Sequence, residues 1–359
     1  MPGGWRGRWR AGVLVLCLAC GCDSAPRAAP ATPSPTPSPT AAPAPSPSPS
    51  SVVTPEITLA FGGDVHFTGR TARLLGDPAT AFGPIAPALS GADLALVNLE
   101  TAVTARGRPE PKRYHFRAPA SAYAALRAAG IDAASLANNH ALDYGQVGLL
   151  DTLDSAKRTG FPVFGAGRDV DSAYRPWVTE VRGTRIAVLG FSQIRALASS
   201  WAARTDRPGI AMAWDVRRAV AAVAAARRAA DLVVVFNHWG VEGDECPSPD
   251  QKRFADRLAA AGADIIVGTH AHVLQGAGWL RQSYVAYGLG NFLWYGSSAS
   301  TETGVLRLTV RGRRVVRDEF VPAVVSGTGQ PLPLTGTAAK RLRHRFTTLR
   351  NCTDLASHP

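Results

Sequence analysis

Cysteine is scarce in this chain of 359 residues, and most of it is confined to one end. Of five cysteines, Cys17, Cys20 and Cys22 stand near the N-terminus, and only Cys246 and Cys352 lie in the body. A cysteine-dense scaffold is therefore excluded. Long apolar runs are also lacking. The run Ala11 to Ala19 is too short to span a bilayer as a mature helix. Residues 28 to 51 hold nothing but Ala, Pro, Ser and Thr, so this stretch cannot bury a core. It reads as an extended, proline-rich stalk reaching on the order of 70 Å at ~3.1 Å per residue. Between 56 and 325 there is no internal repeat and no strong boundary, which favours one domain. Acidic residues are the minority, 27 against 39 Lys and Arg, for a formal charge of +12.

The N-terminus has the layout of an export signal. Arg6, Arg8 and Arg10 precede the apolar run, which ends in Ala19-Cys20-Gly21-Cys22. This resembles a bacterial lipoprotein signal, which implies lipidation at Cys22, with Cys20 as the second choice and an ordinary secreted protein as the alternative. The expected organisation is a signal peptide over 1–22, a linker over 23–55, a domain over 56–325 and a basic extension over 326–359. The expected location is the outer face of the cytoplasmic membrane. In that oxidising compartment Cys246 and Cys352 are free to pair. Arg6, Arg8, Arg10 and Arg27, less Asp23, carry +3 of the charge and leave +9 on the body. For an exported protein nucleic acid is an unsuitable partner, and anionic envelope polymers or head groups are the natural ones. The tail "KRLRHRFTTLR" reads as a plain exposed helix.

From residue 56 onward short apolar strands alternate with helical stretches. Strands are expected at "ITLAFGG", "ADLALVNL", "IDAASLA", "RIAVLGFS", "DLVVVFNH", "ADIIVGT" and "SYVAYGLG". Helices are expected over 121–129, 146–158, 215–230 and 249–261, the last opened by Ser248-Pro249. Past 300 the pattern is a hairpin around Gly312. Strands alternating with helices give an α/β layered fold.

The strand endings carry the chemistry. They read Asp64-Val65-His66, Asn98-Leu99-Glu100, Asn138-Asn139-His140, Asn237-His238, His270-Ala271-His272 and Asn291. In α/β sheets the carboxyl ends of strands line the ligand crevice, so these endings would converge. His270 and His272 would share a face if strand geometry persists through them. Histidine nitrogens with Asp, Glu and Asn oxygens suit Mn, Fe or Zn rather than calcium. The supply is too rich for one tetrahedral ion and about right for two.

Residues 57 to about 295 resemble the CapA family, poly-γ-glutamate capsule biosynthesis proteins of the calcineurin-like metallophosphoesterase superfamily. The resemblance rests on "GGDVHFTGR", "VNLET", "YHFRAP", "SLANNHALDYG", "NHWGVEGDECPSPDQ", "GTHAHVLQG" and "GLGNFLW", in that order. It implies a four-layer metallophosphoesterase-like β-sandwich flanked by helices, and metal-dependent hydrolysis of a phosphate ester. It places Asp64, His66 and His272 on one divalent ion, Asn139, His238 and His270 on the other, and His140 as general acid. The superfamily's bridging aspartate is absent, and Glu100 is the only candidate for its place. Asn98 and Asn291 would give supporting or substrate contacts, Asp143 would orient His140, and Glu242 would hold His238 by a hydrogen bond. Trp239 and Trp294 read as packing or rim residues. Expected partners are an envelope polymer or phosphoester substrate and membrane subunits of capsule synthesis. The alternative is a non-catalytic metal- or polymer-binding subunit.

Overall fold

The computed structural model describes residues 28–31, 55–196, 198–296 and 300–359. The signal peptide, Cys20, Cys22 and nearly all of the stalk lie outside the described residues. Residues 28–31 are exposed and without regular structure. Contacts divide the chain into Met1–Ser51 and Val52–Pro359, and the second unit carries all that follows. Among the described residues no helix is long and apolar enough to cross a membrane.

Chain order separates two sheets. The first half runs β1 (Glu56–Val65), α1 (Ala86–Ser90), β2 (Leu94–Leu99), α2 (Ser121–Ala128), β3 (Ala133–Ser135), α3 (Gly145–Thr159) and β4 (Val163–Phe164). The second half runs β5 (Trp177–Val181), β6 (Thr184–Ser192), α4 (Val216–Ala229), β7 (Leu232–Trp239), α5 (Pro249–Ala260), β8 (Ile265–His270), β9 (Ala277–Leu280) and β10 (Ser283–Ala286). The chain then returns through β11 (Asn291–Leu293), β12 (Glu302–Arg311), β13 (Arg314–Val325), β14 (Pro331–Pro333) and α6 (Gly336–Thr348).

Sheet one has the order β14-β13-β12-β1-β2-β3-β4 with β11 beside β1, and sheet two β9-β10-β8-β7-β6-β5. β1 to β4 pair in parallel, as do β6, β7, β8 and β10. The helix-connected strands of each sheet therefore end on one side. The hairpin expected around Gly312 is β12 and β13.

The period-2 pattern of the strands decides the layers. Leu59, Phe61 and Leu96 turn inward and meet Val188, Val234, Phe236 and Val267 of the other sheet in one core. Ala60, Ala95 and Val97 turn outward onto a second core that takes in Leu89, Tyr123, Leu126 and Leu149. Leu189, Val233, Val235 and Ile266 do the same on the far side, with Val223, Phe254 and Leu258. The fold is thus helices, sheet, sheet, helices, the four-layer α/β arrangement expected.

Local chemistry explains the element ends. Gln251 N donates to Ser248 Oγ at 3.3 Å and Ser248 N donates to Gln251 Oε1 at 2.8 Å, a reciprocal cap that starts α5 with Pro249 in its first turn. α3 stops at Gly160, whose φ of 66° is left-handed.

The C-terminal residues depart from expectation. Instead of trailing as an appended extension with an exposed helix, 326–359 pack on the domain. β14 pairs with β13, and α6 buries Leu342 and Phe346, with the Phe346 ring stacked on Phe320 at 4.1 Å. The basic residues that mark the tail as a surface helix occupy only its outer face. Cys352 forms a disulfide with Cys246, Cα to Cα 5.6 Å.

Candidate metal centre

The parallel strands of the two sheets end at one edge, and the polar residues of the sequence motifs meet there. Asp64 lies near the end of β1, Asn98 near the end of β2 with Glu100 just past it, His238 near the end of β7 and His270 at the end of β8. Asn138, Asn139 and His140 follow β3. Asp64, Glu100, His66, Asn98, His238 and Asn291 are all buried, at 0 or 1% exposure. That many polar groups withdrawn from water are costly unless each finds a partner.

Some partners are internal. Asn98 Nδ2 donates to Asp64 Oδ1 at 2.8 Å and stands 3.2 Å from His238 Nδ1. Asn138 Nδ2 donates to Asn98 Oδ1 at 3.0 Å and to Leu99 O at 2.9 Å, and Asn138 Oδ1 accepts from the His140 backbone N–H at 3.0 Å. Asp64 Oδ2 also accepts from the His270 backbone N–H at 3.1 Å. These asparagines fix strand ends to one another.

Other atoms are left without partners. Both oxygens of Glu100, both ring nitrogens of His66, His272 Nδ1 and Asn291 Oδ1 are buried and make no hydrogen bond. Each such atom costs roughly 1–3 kcal/mol if nothing satisfies it. A divalent cation would satisfy carboxylate and imidazole lone pairs together, so the donor set fits a metal.

Two groups of ligand atoms sharing Glu100 stand out, each within 4.8 Å: Glu100, His238 and His270, and Asp64, Glu100 and His272. In the first, His238 Nε2 lies 2.6 Å from Asn139 Oδ1, 3.1 Å from His270 Nδ1 and 3.5 Å from Glu100 Oε1. In the second, His272 Nδ1 approaches Asp64 Oδ2 at 3.3 Å as an ion pair without hydrogen-bond alignment. His66 stands outside both groups. Its ring lies among Phe116, Trp294 and Tyr295 with centroids at 4.4, 4.4 and 4.7 Å.

Burial sets the charge state. It would raise Asp64, but the close His272 and the charges of His238 and His272 hold this carboxyl well below the usual carboxylate range. Burial and then Asp64 push Glu100 well above its ordinary value. Burial keeps His66, His140 and His270 neutral and pushes His238 down to about 3. Burial acts against a charge on His272 as well, yet the adjoining Asp64 carboxylate outweighs it and pushes the ring up to about 9. The protein alone therefore holds an Asp64–His272 ion pair and neutral imidazoles at His66, His140, His238 and His270.

Two expectations need correction. His270 and His272 do not share a strand face, because both have left-handed backbones, φ 88° and 57°. The strand ends at His270, and the turn aims the two rings differently, with centroids 5.7 Å apart. Glu242 makes no hydrogen bond to His238. It is exposed, and its carboxylate groups with the ring nitrogens of His270 and His272. Asn291 begins a strand of sheet one beside Asp64 and donates to His272 O at 3.3 Å. Gly63 is required where β1 passes Gly290, since a Cβ there would sit 2.0 Å from Gly290 O.

His140 is buried beside the centre. Its Nδ1 is 2.7 Å from Asp143 Oδ2, its ring stacks on Phe116 at 3.9 Å, and its Nε2 is 3.8 Å from Glu100. Asp143, pushed up to about 6 by burial, remains ionised at pH 7, so it accepts the Nδ1 hydrogen and leaves Nε2 bare toward the centre. Sequence reasoning missed Lys112. Its Nζ donates to Asp143 Oδ1 at 2.6 Å and to Asn139 O, lies 3.2 Å from His140 Nδ1 and sits 4.9 Å from the centre of the Trp201 ring. Lys112 occupies a polar, proline-flanked loop without periodicity, and its only signal was proximity to "YHFRAP". Trp239 is core, its Nε1 donating to Tyr287 O at 2.8 Å, and Trp294 packs on His66 and His272.

Residues 58–295 match the family described as bacterial capsule synthesis protein PGA_cap. The chain belongs to that family. Its relatives include the capsule biosynthesis protein CapA of Bacillus anthracis, 31% identical over 81% of this chain and 72% of the relative. The PGA biosynthesis protein CapA of Bacillus subtilis is 30% identical over 67% of this chain and 64% of its own length. Among solved structures, a novel phosphatase of Mycoplasma pneumoniae aligns with a TM-score of 0.46 and 16% identity, covering 76% of this chain and 94% of that one. In this PGA_cap chain the candidate centre lies wholly within the matched residues.

Proposed function

We propose that the chain is an envelope-anchored, metal-dependent hydrolase of phosphate esters acting in capsule or poly-γ-glutamate synthesis or export. The observation that carries the reading is the set of buried, unpartnered lone pairs on Glu100 and His272, gathered beside Asp64 and the His238–His270 pair, with the unpartnered His66 ring within reach of the Asp64 charge. Two divalent ions, of Mn, Fe or Zn type, when bound would supply Lewis acidity and neutralise charge developing on phosphoryl oxygens. Asp64, His66 and His272 would hold one, Asn139, His238 and His270 the other, with Glu100 between them.

The chain's own groups then do the rest. Asn98 fixes Asp64, and Asn138 fixes Asn98. Phe116 stacks on His140 and Asp143 accepts its Nδ1 hydrogen, so the bare Nε2 faces the reacting group. His140 is held neutral first by burial and then by Lys112. An incoming phosphoryl dianion offsets that penalty and lets Nε2 take up a proton from solvent, which the ring would then give to the leaving oxygen as it returns to its neutral form. The Cys246–Cys352 disulfide supports an oxidising, exported setting, in which Cys22 would carry the lipid and membrane subunits of polymer synthesis would be neighbours. Metal analysis combined with hydrolysis of an aryl phosphate tests the reading, with Asp64→Ala and His270→Ala losing both.

A second reading has specific support. A glutamate stands where the superfamily bridge is an aspartate, and His140 lacks the proton a general acid donates. Both favour a non-catalytic metal- or polymer-binding subunit. One equivalent of metal without turnover would select it.

A further inference from the structure

The carboxyl ends of β6, β7 and β8 carry more than the metal centre. A groove of about 490 Å³ with His270 in its wall lies between the loop after β6, the approach to α4 and the turn after β7. Gln193, Arg195, Trp214, Val216 and Val241 line it. Trp214 is 40% exposed and Val241 52%, two of the few large apolar side chains this domain leaves to water, and both face this groove. Arg195 lies over the Trp214 ring, its guanidinium carbon 3.9 Å from the ring centre. Among the described residues no carboxylate pairs with it. The rim acid Asp250 is taken by Arg253, and Asp215 by Arg218 at 3.3 Å.

We propose that this groove is the subsite for the non-reacting arm of the substrate, taking an anionic group on a short methylene stem, with the anion on Arg195 and the stem over Trp214 and Val241. The proposal deepens the hydrolase reading and rests on it for the role of the metal centre. A planar guanidinium held in place by a ring loses little freedom on forming two parallel hydrogen bonds to a carboxylate or phosphate. Exposed apolar side chains beside a cation match a ligand that alternates methylene and anion, and the formal charge of +9 on the body attracts such a chain. His270 of the centre is part of the groove wall, so a bound arm would hold the adjoining bond beside the centre.

Isothermal titration of the full chain with a γ-linked glutamate tetramer and with a glycerol phosphate tetramer tests it. At least one should bind, and Arg195→Ala should weaken it about tenfold at low salt, a figure reduced for the exposure of the pair. Trp214→Ala should weaken the same probe several-fold. Which tetramer shows the loss identifies carboxylate or phosphate as the arm. Failure of both to bind at millimolar concentration, or equal binding by wild type and Arg195→Ala, overturns the proposal. Repeating the titration after chelation separates the two readings. Groove-dependent binding that survives without aryl phosphate turnover would remove the hydrolase reading and leave the subsite standing.

Discussion

Replacing Glu100 by Gln separates the two states in which this centre exists. Glu100 is buried with both oxygens unpartnered, and burial with Asp64 pushes it well above its ordinary 4.5, so without metal it carries its proton. Gln has the shape of that protonated acid. A raised folded value means that folding takes up a proton above pH 4.5, and stability falls as pH climbs through the window. The loss is at most about 1.4 kcal/mol per pH unit. Glu100→Gln removes this slope. Metal-free Glu100→Gln should therefore melt above metal-free wild type at pH 7.5, with the gap closing toward pH 4.5. Adding Mn or Zn should reverse the order. Wild type gains about 2.7 kcal/mol at a free metal concentration of 100 Kd, worth roughly 4 °C in Tm for a domain of this size. The variant gains less, because a neutral amide is a poor bridge between cations. Thermal melts from pH 5 to 8, with chelator and with metal, read both effects. A metal-free variant less stable than wild type at pH 7.5, or an undiminished metal shift, would refute the assignment of Glu100 as a protonated acid that metal ionises.

Other outcomes follow from the same geometry. His272 is pushed up to about 9 from 6.5, so its ion pair stabilises the metal-free protein fully below pH 6.5 and is lost as pH rises through about 9. Metal must displace that proton, and affinity should climb by up to about tenfold per pH unit between 7 and 9; calorimetry showing a flat profile and no proton release contradicts this. Lys112→Met leaves buried Asp143 without its cation and should cut aryl phosphate turnover roughly 10–100-fold while metal remains bound, with Lys112→Arg recovering part. Equal losses of metal and turnover would assign Lys112 to folding alone. Cys352→Ser opens a loop of sequence separation 106 and should cost up to about 4.7 kcal/mol in denaturant melts. An unchanged midpoint would mean that α6 packing alone secures the tail.

Legibility differed by kind of residue. Strands such as 232–239 and helices such as 216–229 and 249–260 were readable because apolar period and capping residues agree with the tertiary environment. The meeting of Asp64, Glu100, Asn139, His238 and His270 followed from one rule, that parallel strands of a sheet end on the same side. What failed depended on backbone or distance. The left-handed φ of His270 and His272 cannot be read from a histidine, and it broke the shared-face argument. "SYVAYGLG" reads as one strand ending at Asn291, yet the chain leaves sheet two at Ala286 and enters sheet one at Asn291. Lys112 and the packing of α6 are set by contacts far along the chain, with Cys246 and Cys352 as the sole hint for the latter.

The most direct test of the central claim is elemental analysis of protein loaded with Mn or Zn and freed of excess, alongside turnover of a generic aryl phosphate. The account predicts two equivalents of metal and measurable hydrolysis, both lost in Asp64→Ala and His270→Ala. Hydrolysis retained by either variant, or a metal-free wild type after loading, would contradict it.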